Sequence, residues 1–263
     1  MRDDEPVLSE SDVRAMVRLL GEVAGLDADI PAKKRFLMNG VCELVNAEKW
    51  LWNYGVFGTR DDIGAGFMMI HDGWTDREMA TVYQAQYDIT RPPPDLEHYL
   101  AAVTRRQPFT RARWQMVSDD DWYASPHCQH YRKGIADDFI VSFYPLPESD
   151  VWSVAGLYHN WDGSRFSSRD VRIVHVMMTE IPWLHMQGLP SDGGRDVHKL
   201  SPRQRTVLNM LLEAHGKKQI AYHLGLSEWT VNDYIKAIYR HFNVSSRAEL
   251  LRRFMVGDGG DGL

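Results

Sequence analysis

Cysteine is scarce in this chain, and long apolar runs are absent. Only Cys42 and Cys128 occur among 263 residues, which excludes a disulfide framework and favours a reducing compartment. No stretch reaches the roughly 18 consecutive apolar residues of a membrane span. The acidic residues 1–12 also lack the apolar run of a signal peptide behind them. We therefore expect a cytoplasmic protein that does not contact a membrane.

Catalytic motifs are missing as well. The chain has no Gly-x-Ser-x-Gly elbow, Walker loop, dinucleotide glycine pattern or paired metal motif, so we expect neither an enzyme nor a cofactor. A phosphoryl-acceptor receiver domain needs an acidic pair after its first strand. Asp3 and Asp4 instead precede a predicted helix, and Asp61 and Asp62 lie in a predicted hairpin turn, which disfavours phosphorelay control.

Two short clusters resemble metal sites. His127, Cys128 and His130 are plausible ligands, but no fourth ligand stands at motif spacing, which favours partly exposed helix residues. The consecutive carboxylates of residues 119–121 point in different directions from a helix start, where they stabilise the positive end of the helix dipole. The sequence therefore predicts no metal site.

Charge divides the chain into two parts. Residues 199–256 carry ten Lys and Arg against four Asp and Glu, a net charge of +6, whereas the whole chain has −6. The remainder is therefore at −12, and it repels DNA phosphate. Nucleic-acid binding is expected only at the basic end.

That basic end carries the start and stop signals of four short helices. Ser201 and Gln204 form a capping box at the first helix. The second helix, roughly residues 217–224, ends at Gly225, which suits a left-handed C-cap. Two residues later Ser227 itself caps a third helix. A turn this tight is typical of a helix-turn-helix DNA reader.

The third helix, which runs to about Phe242, has one apolar and one polar face. Asn232, Lys236 and Arg240 lie four apart on the polar face, where they can reach phosphates or base edges in the major groove. The residues predicted to contact DNA are Lys217, Lys218, Ser227, Thr230, Asn232, Asp233, Lys236 and Arg240.

The segment resembles the C-terminal DNA-binding domain of LuxR-type (also FixJ/NarL-type) bacterial transcription regulators. The matching residues are Leu200-Ser201-Pro202-Arg203, Val207-Leu208, Lys218-Gln219-Ile220-Ala221, Leu224-Gly225-Leu226-Ser227, Thr230-Val231 and Val244 with Ser246-Arg247-Ala248-Glu249. This resemblance implies binding to double-stranded operator DNA as a homodimer on two half-sites, with RNA polymerase as a further partner. It also implies association with the nucleoid while DNA is bound.

Departures from the family pattern weaken the expected DNA contact. Asn232 and His241 stand where similar proteins commonly have basic residues, and Lys236 restores one charge, so we expect a smaller salt dependence. Two alternatives remain: the similar fourth domain of sigma factors, and a plain helical module with a solvated basic face.

Upstream, helices alternate with five predicted strands, and this order predicts an α+β domain. We expect an α/β/α sandwich around a central antiparallel sheet, followed by the all-α C-terminal domain. The predicted strands are 50–58, 64–70, 113–117, 138–146 and 151–159, and the predicted helices begin near 11, 32, 75, 96 and 168, the last running to about 187. The predicted domains are 1–187, a linker 188–198, the DNA reader 199–256 and a disordered tail 257–263.

Residues 130–187 resemble the GAF/PAS-like sensor half found upstream of LuxR-type domains. The similarity rests on Tyr131-Arg132-x-Gly134, the two strands that follow, and Phe166-Ser167-x-Arg169-Asp170. It implies a pocket for a small apolar or aromatic ligand between the sheet and one helical layer.

Candidate ligand contacts come from the aromatic residues before residue 125. Trp50, Trp52 and Tyr54 alternate, so they share one strand face, and Trp74 and Trp114 complete the predicted set. Such rings also fill cores. Acyl-homoserine-lactone receptors, which the chain resembles, carry an Asp followed by Pro-Trp, whereas residues 87–99 read YDITRPPPDLEHY, so that ligand is disfavoured. The alternative is a ligand-independent regulator whose N-terminal domain docks a protein partner.

Overall fold

The computed structural model describes residues 7–56, 66–85, 88, 90–149, 151–161, 165–187 and 195–255. The strands are β1 (Lys49–Val56), β2 (Gly66–Asp72), β3 (Phe109–Ala112), β4 (Phe139–Pro145) and β5 (Val151–Tyr158). The helices are α1 (Glu10–Gly25), α2 (Ile30–Val45), α3 (Asp76–Ala85), α4 (Leu96–Thr104), α5 (Asp119–Ala124), α6 (Ser168–Thr179), α7 (Pro182–Met186), α8 (Arg195–His198), α9 (Pro202–Leu212), α10 (Lys217–Leu224), α11 (Glu228–Phe242) and α12 (Arg247–Met255).

The five strands form one antiparallel sheet in the order β2-β1-β5-β4-β3. Two pairings were predicted from sequence proximity, β1 with β2 and β4 with β5, and both are confirmed. The central pairing of β1 with β5 joins residues about a hundred positions apart. It places Trp52 opposite Ala155 and Tyr54 opposite Ser153.

The sheet has a helical layer on each face. On the first face, which carries Trp50, Trp52 and Tyr54, α2 and α6 pack against the strands. On the second face Tyr158 meets Trp74 with ring centroids 4.9 Å apart, and Phe139 meets Trp122 of α5 at 5.5 Å. The predicted α/β/α sandwich with a central antiparallel sheet is therefore confirmed.

Side-chain caps fix the beginnings of several helices where the sequence placed them. Ser167 and Asp170 form a capping box at α6, and Ser201 and Gln204 form one at α9. Ser118 caps α5, so the carboxylates of residues 119–121 occupy its first turn as predicted. Asp119 has a second role, because it also pairs with Arg113 at 2.8 Å.

The strand predicted at 113–117 is wrong. The strand in this region, β3, ends at Ala112, before the predicted range. Arg113–Gln115 then form a single 3₁₀ turn. The reason is Arg113, whose fully buried guanidinium donates to Asp138 through Nε at 3.0 Å. The Gln115 side chain then accepts the backbone N–H of Ala112 at 2.9 Å and closes the turn.

The single helix predicted over 168–187 is wrong at its centre. The helix breaks between Thr179 and Pro182, and a second helix, α7, begins at the proline. Proline cannot donate a helical hydrogen bond, and it moves the preceding residue out of the helical region. Ile181 accordingly has φ −118° and ψ 43°.

The predicted exposure of the 127–130 cluster is also wrong for two of its residues. His127 and Cys128 are buried, whereas His130 is exposed. Burial lowers the pKa of His127 to about 4. In the described part of the chain, no three His, Cys, Asp or Glu side chains come together in a way that would hold a metal ion.

Parts of three sequence predictions lie outside the described residues: the hairpin turn of 59–63, the linker residues 188–194 and the tail 257–263. The last four residues of the predicted linker form α8. Within the described ranges, no helix combines the length and the apolar character needed to cross a membrane.

The C-terminal helices pack against one edge of the sheet. Helix α9 contacts the edge strand β2, and α10 contacts α3. The backbone N–H of Met69 in β2 donates to Asn209 Oδ1 of α9 at 2.6 Å, and the Tyr83 hydroxyl of α3 donates to the Glu213 carboxylate. His71 Nε2 lies 3.7 Å from the same carboxylate. The open edge of the sheet is therefore covered by the first helix of the predicted DNA reader.

Candidate nucleic-acid interface

Helices α9 to α12 share a small apolar core. The apolar residues along α9 are buried, and so are the inward residues of the other three helices. The buried residues are Val207, Leu208, Leu211, Leu212, Ile220, Ala221, Leu224, Val231, Ile238, Phe242, Leu250 and Phe254. This packing holds α10 and α11 at a fixed angle, as a helix-turn-helix requires.

The turn between α10 and α11 has the predicted form. Gly225 adopts φ +62°, the left-handed C-cap conformation. The next N–H, that of Leu226, donates back to the Ala221 carbonyl at 2.9 Å. Ser227 then caps α11, because its Oγ accepts the Thr230 N–H at 3.1 Å.

Several positively charged side chains of this domain are engaged by other groups of the protein. Arg205 is 1% exposed and donates through Nε to the Leu200 carbonyl at 3.1 Å. Arg247 donates to the Leu211 carbonyl at 2.6 Å at the end of α9. Arg253 pairs with Asp196 of α8 at 3.0 Å. The net charge of +6 therefore overstates the charge that faces outward.

His241 has a structural partner too. Its Nε2 donates to the Asp196 carbonyl at 2.7 Å and so ties α11 to α8. The sequence identified His241 as a missing phosphate contact, and its structural use could not be read from the pattern. The acceptor is a backbone carbonyl, so no side-chain pattern in the sequence signals this contact.

The outward face of α11 carries the predicted contact residues. Asp233, Lys236 and Arg240 are exposed, and Asn232 is half-buried. Their spacing along a helix places them on one stripe. Thr230 is half-buried beside the Ser227 cap, with the two hydroxyl oxygens 2.8 Å apart.

Lys217 and Lys218 of α10 are both exposed beside this stripe. Lys217 pairs with Glu228 at 3.6 Å, which joins the start of α10 to the start of α11. The structure thus brings the predicted DNA-contacting side chains to α11 and to the start of α10. Sequence reasoning missed one prominent neighbour, Trp229, whose side chain is 75% exposed.

The predicted ligand residues fall into three different surroundings. Trp50, Trp52 and Tyr54 are at most 2% exposed on the first face of the sheet. Trp74 is half-buried on the second face, and its Nε1 donates to the Trp50 carbonyl at 2.9 Å. Trp114 is 40% exposed, and its Nε1 donates to the Phe166 carbonyl at 2.9 Å.

A buried polar network surrounds the aromatic residues of the first face. Lys34 Nζ of α2 donates to the Tyr54 hydroxyl at 2.6 Å, and the Trp52 indole donates to Ser153 Oγ at 2.7 Å. Ser153 also lies 2.8 Å from His185 Nδ1 of α7. Burial lowers the pKa of Lys34 to about 7 and that of His185 to about 4.

The second face holds buried polar atoms that lack partners. Asn53 Oδ1, Asp95 Oδ1 and Arg132 Nε have no hydrogen-bond partner among the described residues. Burial raises the pKa of Asp95, and the nearby positive charge of Arg132 opposes this effect. The Arg132 guanidinium also lies over the Tyr158 ring, 5.4 Å from its centroid.

Comparison with known proteins identifies the C-terminal domain. Residues 198–254 match the family model GerE, described as bacterial regulatory proteins, luxR family. The predicted resemblance of this segment to LuxR-type DNA-binding domains is therefore confirmed. A search of curated protein sequences found no match.

Several solved structures are similar to the chain, and three of them are described here. The VqsR LBD domain from Pseudomonas aeruginosa is 13% identical, with 67% of this chain and 94% of that chain covered and a TM-score of 0.43. SdiA from Escherichia coli is 10% identical, with 91% and 94% covered and a TM-score of 0.41. SdiA in complex with octanoyl-rac-glycerol is 11% identical, with 94% and 96% covered and a TM-score of 0.42.

Proposed function

We propose that this chain is a non-enzymatic transcription regulator that acts in the bacterial cytoplasm and binds operator DNA through α11. The observation that carries the proposal is the exposed polar stripe of α11, which lies on a luxR-family domain. In a helix-turn-helix the second helix enters the major groove, and the first crosses the DNA backbone. Helix α10 is the first helix of this pair, and α11 is the second, which enters the groove.

The two ends of α11 have different roles in this proposal. Lys236 and Arg240 in its C-terminal half, together with Lys217 and Lys218 of α10, contact phosphates. Asn232 and Asp233 in the N-terminal half face base edges, where an amide pairs with adenine and a carboxylate accepts from cytosine. Phosphate contacts fix the register on DNA, and base contacts select the sequence.

Titration of the full chain with duplex DNA at several salt concentrations tests this proposal. Each phosphate contact that is lost flattens the slope of log K against log salt by about 1. Lys236→Ala is therefore expected to weaken binding to every duplex and to flatten the slope by about that amount. The matched control is Lys33→Ala, which removes an equally charged side chain from α2. Equal slopes for wild type and Lys236→Ala would reject the groove assignment.

The proposed dimer forms through α1. Val13 and Val17 of this helix are 46% and 65% exposed, although they belong to its apolar stripe. They border an open groove of about 490 Å³ that Leu20 and Val176 also line. A second copy seated here would bury the stripe and present two reading helices to two half-sites. Sedimentation of a monomer at micromolar concentration would contradict this assignment.

The proposed ligand site lies on the second face of the sheet. Asn53 Oδ1 and Asp95 Oδ1 are unpartnered acceptors, and Arg132 Nε is an unpartnered donor. Leaving such groups buried and unpaired costs roughly 1–3 kcal/mol each, so a ligand that pairs with them binds favourably. Together with the half-buried Trp74 ring, they suit a small molecule with an apolar body and a polar head that both donates and accepts.

A thermal-shift screen of the full chain against small metabolites tests this site. A compound that binds here is expected to raise the melting temperature of the wild type. Asp95→Asn changes the charge and the hydrogen-bonding of one anchor and keeps its size, so it is expected to reduce the shift. A shift of the same size in both proteins would place the ligand elsewhere.

The alternative of a ligand-independent docking module is favoured by one observation. On the first face Trp52 and Tyr54 are buried and hydrogen-bonded to protein groups. These rings fill the core between the sheet and α2. A ligand could contact these two rings only by displacing those protein groups. Our proposed ligand site therefore lies on the second face of the sheet and does not include Trp52 or Tyr54.

A further inference from the structure

Trp229 stands at the N-terminal end of the outward face of α11. Its side chain is 75% exposed. Single exposed apolar residues are common on protein surfaces, so exposure alone assigns no role. The position of this residue is what matters, because the first residues of a reading helix are the ones that reach base edges.

The spacing along α11 places Trp229 on the proposed DNA-contacting stripe. Asp233, Lys236 and Arg240 follow it at intervals of four, three and four, which keeps all four side chains on one face of the helix. From Trp229 to Arg240 this face extends about 16 Å. The stripe therefore begins with a flat aromatic ring and ends with two cations.

Helix α11 itself carries carboxylates and no Lys or Arg at the end where Trp229 lies. Glu228 precedes it and is paired with Lys217, and the Asp233 carboxylate is exposed one turn later. Carboxylates repel phosphate, whereas Lys236 and Arg240 attract it at the other end. Helix α11 is therefore polarised so that its cationic end meets the backbone and its aromatic end meets the bases.

The chemistry of the indole ring narrows the target. Its faces are apolar, and its one polar atom, Nε1–H, is a donor only. In the major groove the 5-methyl group of thymine is the apolar feature, and thymine O4 beside it is an acceptor. One Trp side chain can therefore cover the methyl group and donate to the neighbouring O4.

We infer that Trp229 is a specificity-determining residue that reads a T·A base pair in each half-site through the thymine methyl group. This inference rests on the proposed DNA-binding function and identifies the base that the N-terminal end of α11 selects. The phosphate contacts of Lys236 and Arg240 supply affinity without sequence preference, and Trp229 supplies preference at one position.

Selection from a pool of randomised duplexes tests the inference. The full-length wild type is expected to enrich thymine at one position of each half-site. Trp229→Ala is expected to lower that preference on the order of tenfold, which is the typical effect of one mismatched base pair in a recognition site. Its affinity for unrelated duplexes and its salt slope should match the wild type. Tyr222→Ala is the control, because Tyr222 of α10 is 71% exposed and equally aromatic.

Replacement of that thymine by uracil removes only the methyl group and gives a second readout. The replacement is expected to weaken binding by the wild type and by Trp229→Phe, and to leave binding by Trp229→Ala unchanged. Equal loss in wild type and Trp229→Ala, or an unchanged base preference in Trp229→Ala, would overturn the inference and leave the proposed DNA binding intact. A wild type that binds no duplex at low salt would instead contradict the proposed function itself.

Discussion

Lys34 shows how a single residue can occupy a core that its chemistry disfavours. It is 4% exposed, and its Nζ lies 2.6 Å from the Tyr54 hydroxyl and 2.8 Å from the Gln187 carbonyl, both uncharged partners. The Tyr54 ring centroid is 4.7 Å away and offers cation–π attraction. Burial still disfavours the charged form and lowers the pKa to about 7.

The lowered pKa of Lys34 makes the stability of the protein depend on pH. Above pH 7 the folded chain releases this proton, whereas the unfolded chain keeps it up to about pH 10.5. The unfolded state then binds more protons, so the free energy of unfolding rises with pH across this window, by at most about 1.4 kcal/mol per pH unit. Below pH 7 both states are protonated, and the cost of burying the charge is complete.

Lys34→Met is expected to remove this pH dependence, because it keeps the length of the side chain without a titrating group. Urea unfolding of both proteins between pH 6 and 9 measures it. The difference in unfolding free energy between wild type and Lys34→Met should move in favour of the wild type as the pH rises above 7. Parallel stability curves over the whole range would show that Lys34 stays charged in the folded protein.

Residue identities at the buried polar positions were the least predictable part of the chain. Lysine is among the residues least often buried, so a pattern-based assignment leaves Lys34 on the helix surface. Arg113 is fully buried and pairs with Asp138, which immediately precedes β4 and lies about 25 positions along the chain. Such pairs depend on contacts between distant segments, which hydrophobic periodicity does not report.

Among the contacts between elements, that of α9 with β2 matters most, because it covers an open edge of the sheet. An edge strand exposes unpaired N–H groups that invite pairing with other chains. Here Asn209, which is 2% exposed, accepts one of those groups, the Met69 N–H, at 2.6 Å. A helix of the luxR-family domain therefore accepts a hydrogen bond from the edge of the N-terminal sheet.

Asn209→Ala is expected to destabilise the protein by roughly 1–3 kcal/mol, because it leaves the buried Met69 N–H without a partner. Urea unfolding measures the loss, and hydrogen exchange at the Met69 amide should become faster. Asn232→Ala on α11 is the control, since it makes the same change in helix propensity at a half-buried site. If both substitutions change stability equally, Asn209 does not hold the strand edge.

Elements with regular patterns were predicted well, and elements set by a single side chain were not. Runs of aromatic and β-branched residues predicted β1, β4 and β5 nearly to their ends, and capping residues predicted the starts of α6 and α9. The apolar residues within 113–117 suggested a strand. The buried side chain of Arg113 prevents one. The continuous apolar face of 168–187 similarly concealed the break at Pro182.

At the scale of the whole molecule, two parts of opposite charge pack together. The sequence predicted this partition, because the basic residues cluster in 199–256. It did not predict that α9 and α10 pack on β2 and α3. Polar side chains make part of that contact, and two of them, Tyr83 and Glu213, lie 130 positions apart in the sequence. The exposure of the polar face of α11 was predictable apart from Trp229, whose exposure only the structure reveals.

The proposed function makes α11 the surface that binds DNA. Amide hydrogen exchange of the full chain, with and without a saturating duplex at low salt, tests this most directly. We expect slower exchange in residues 217–240 when the duplex is bound, and unchanged exchange in β1 and β5. Slower exchange confined to the N-terminal domain, or no change in residues 217–240 under conditions where the duplex is bound, would contradict the account.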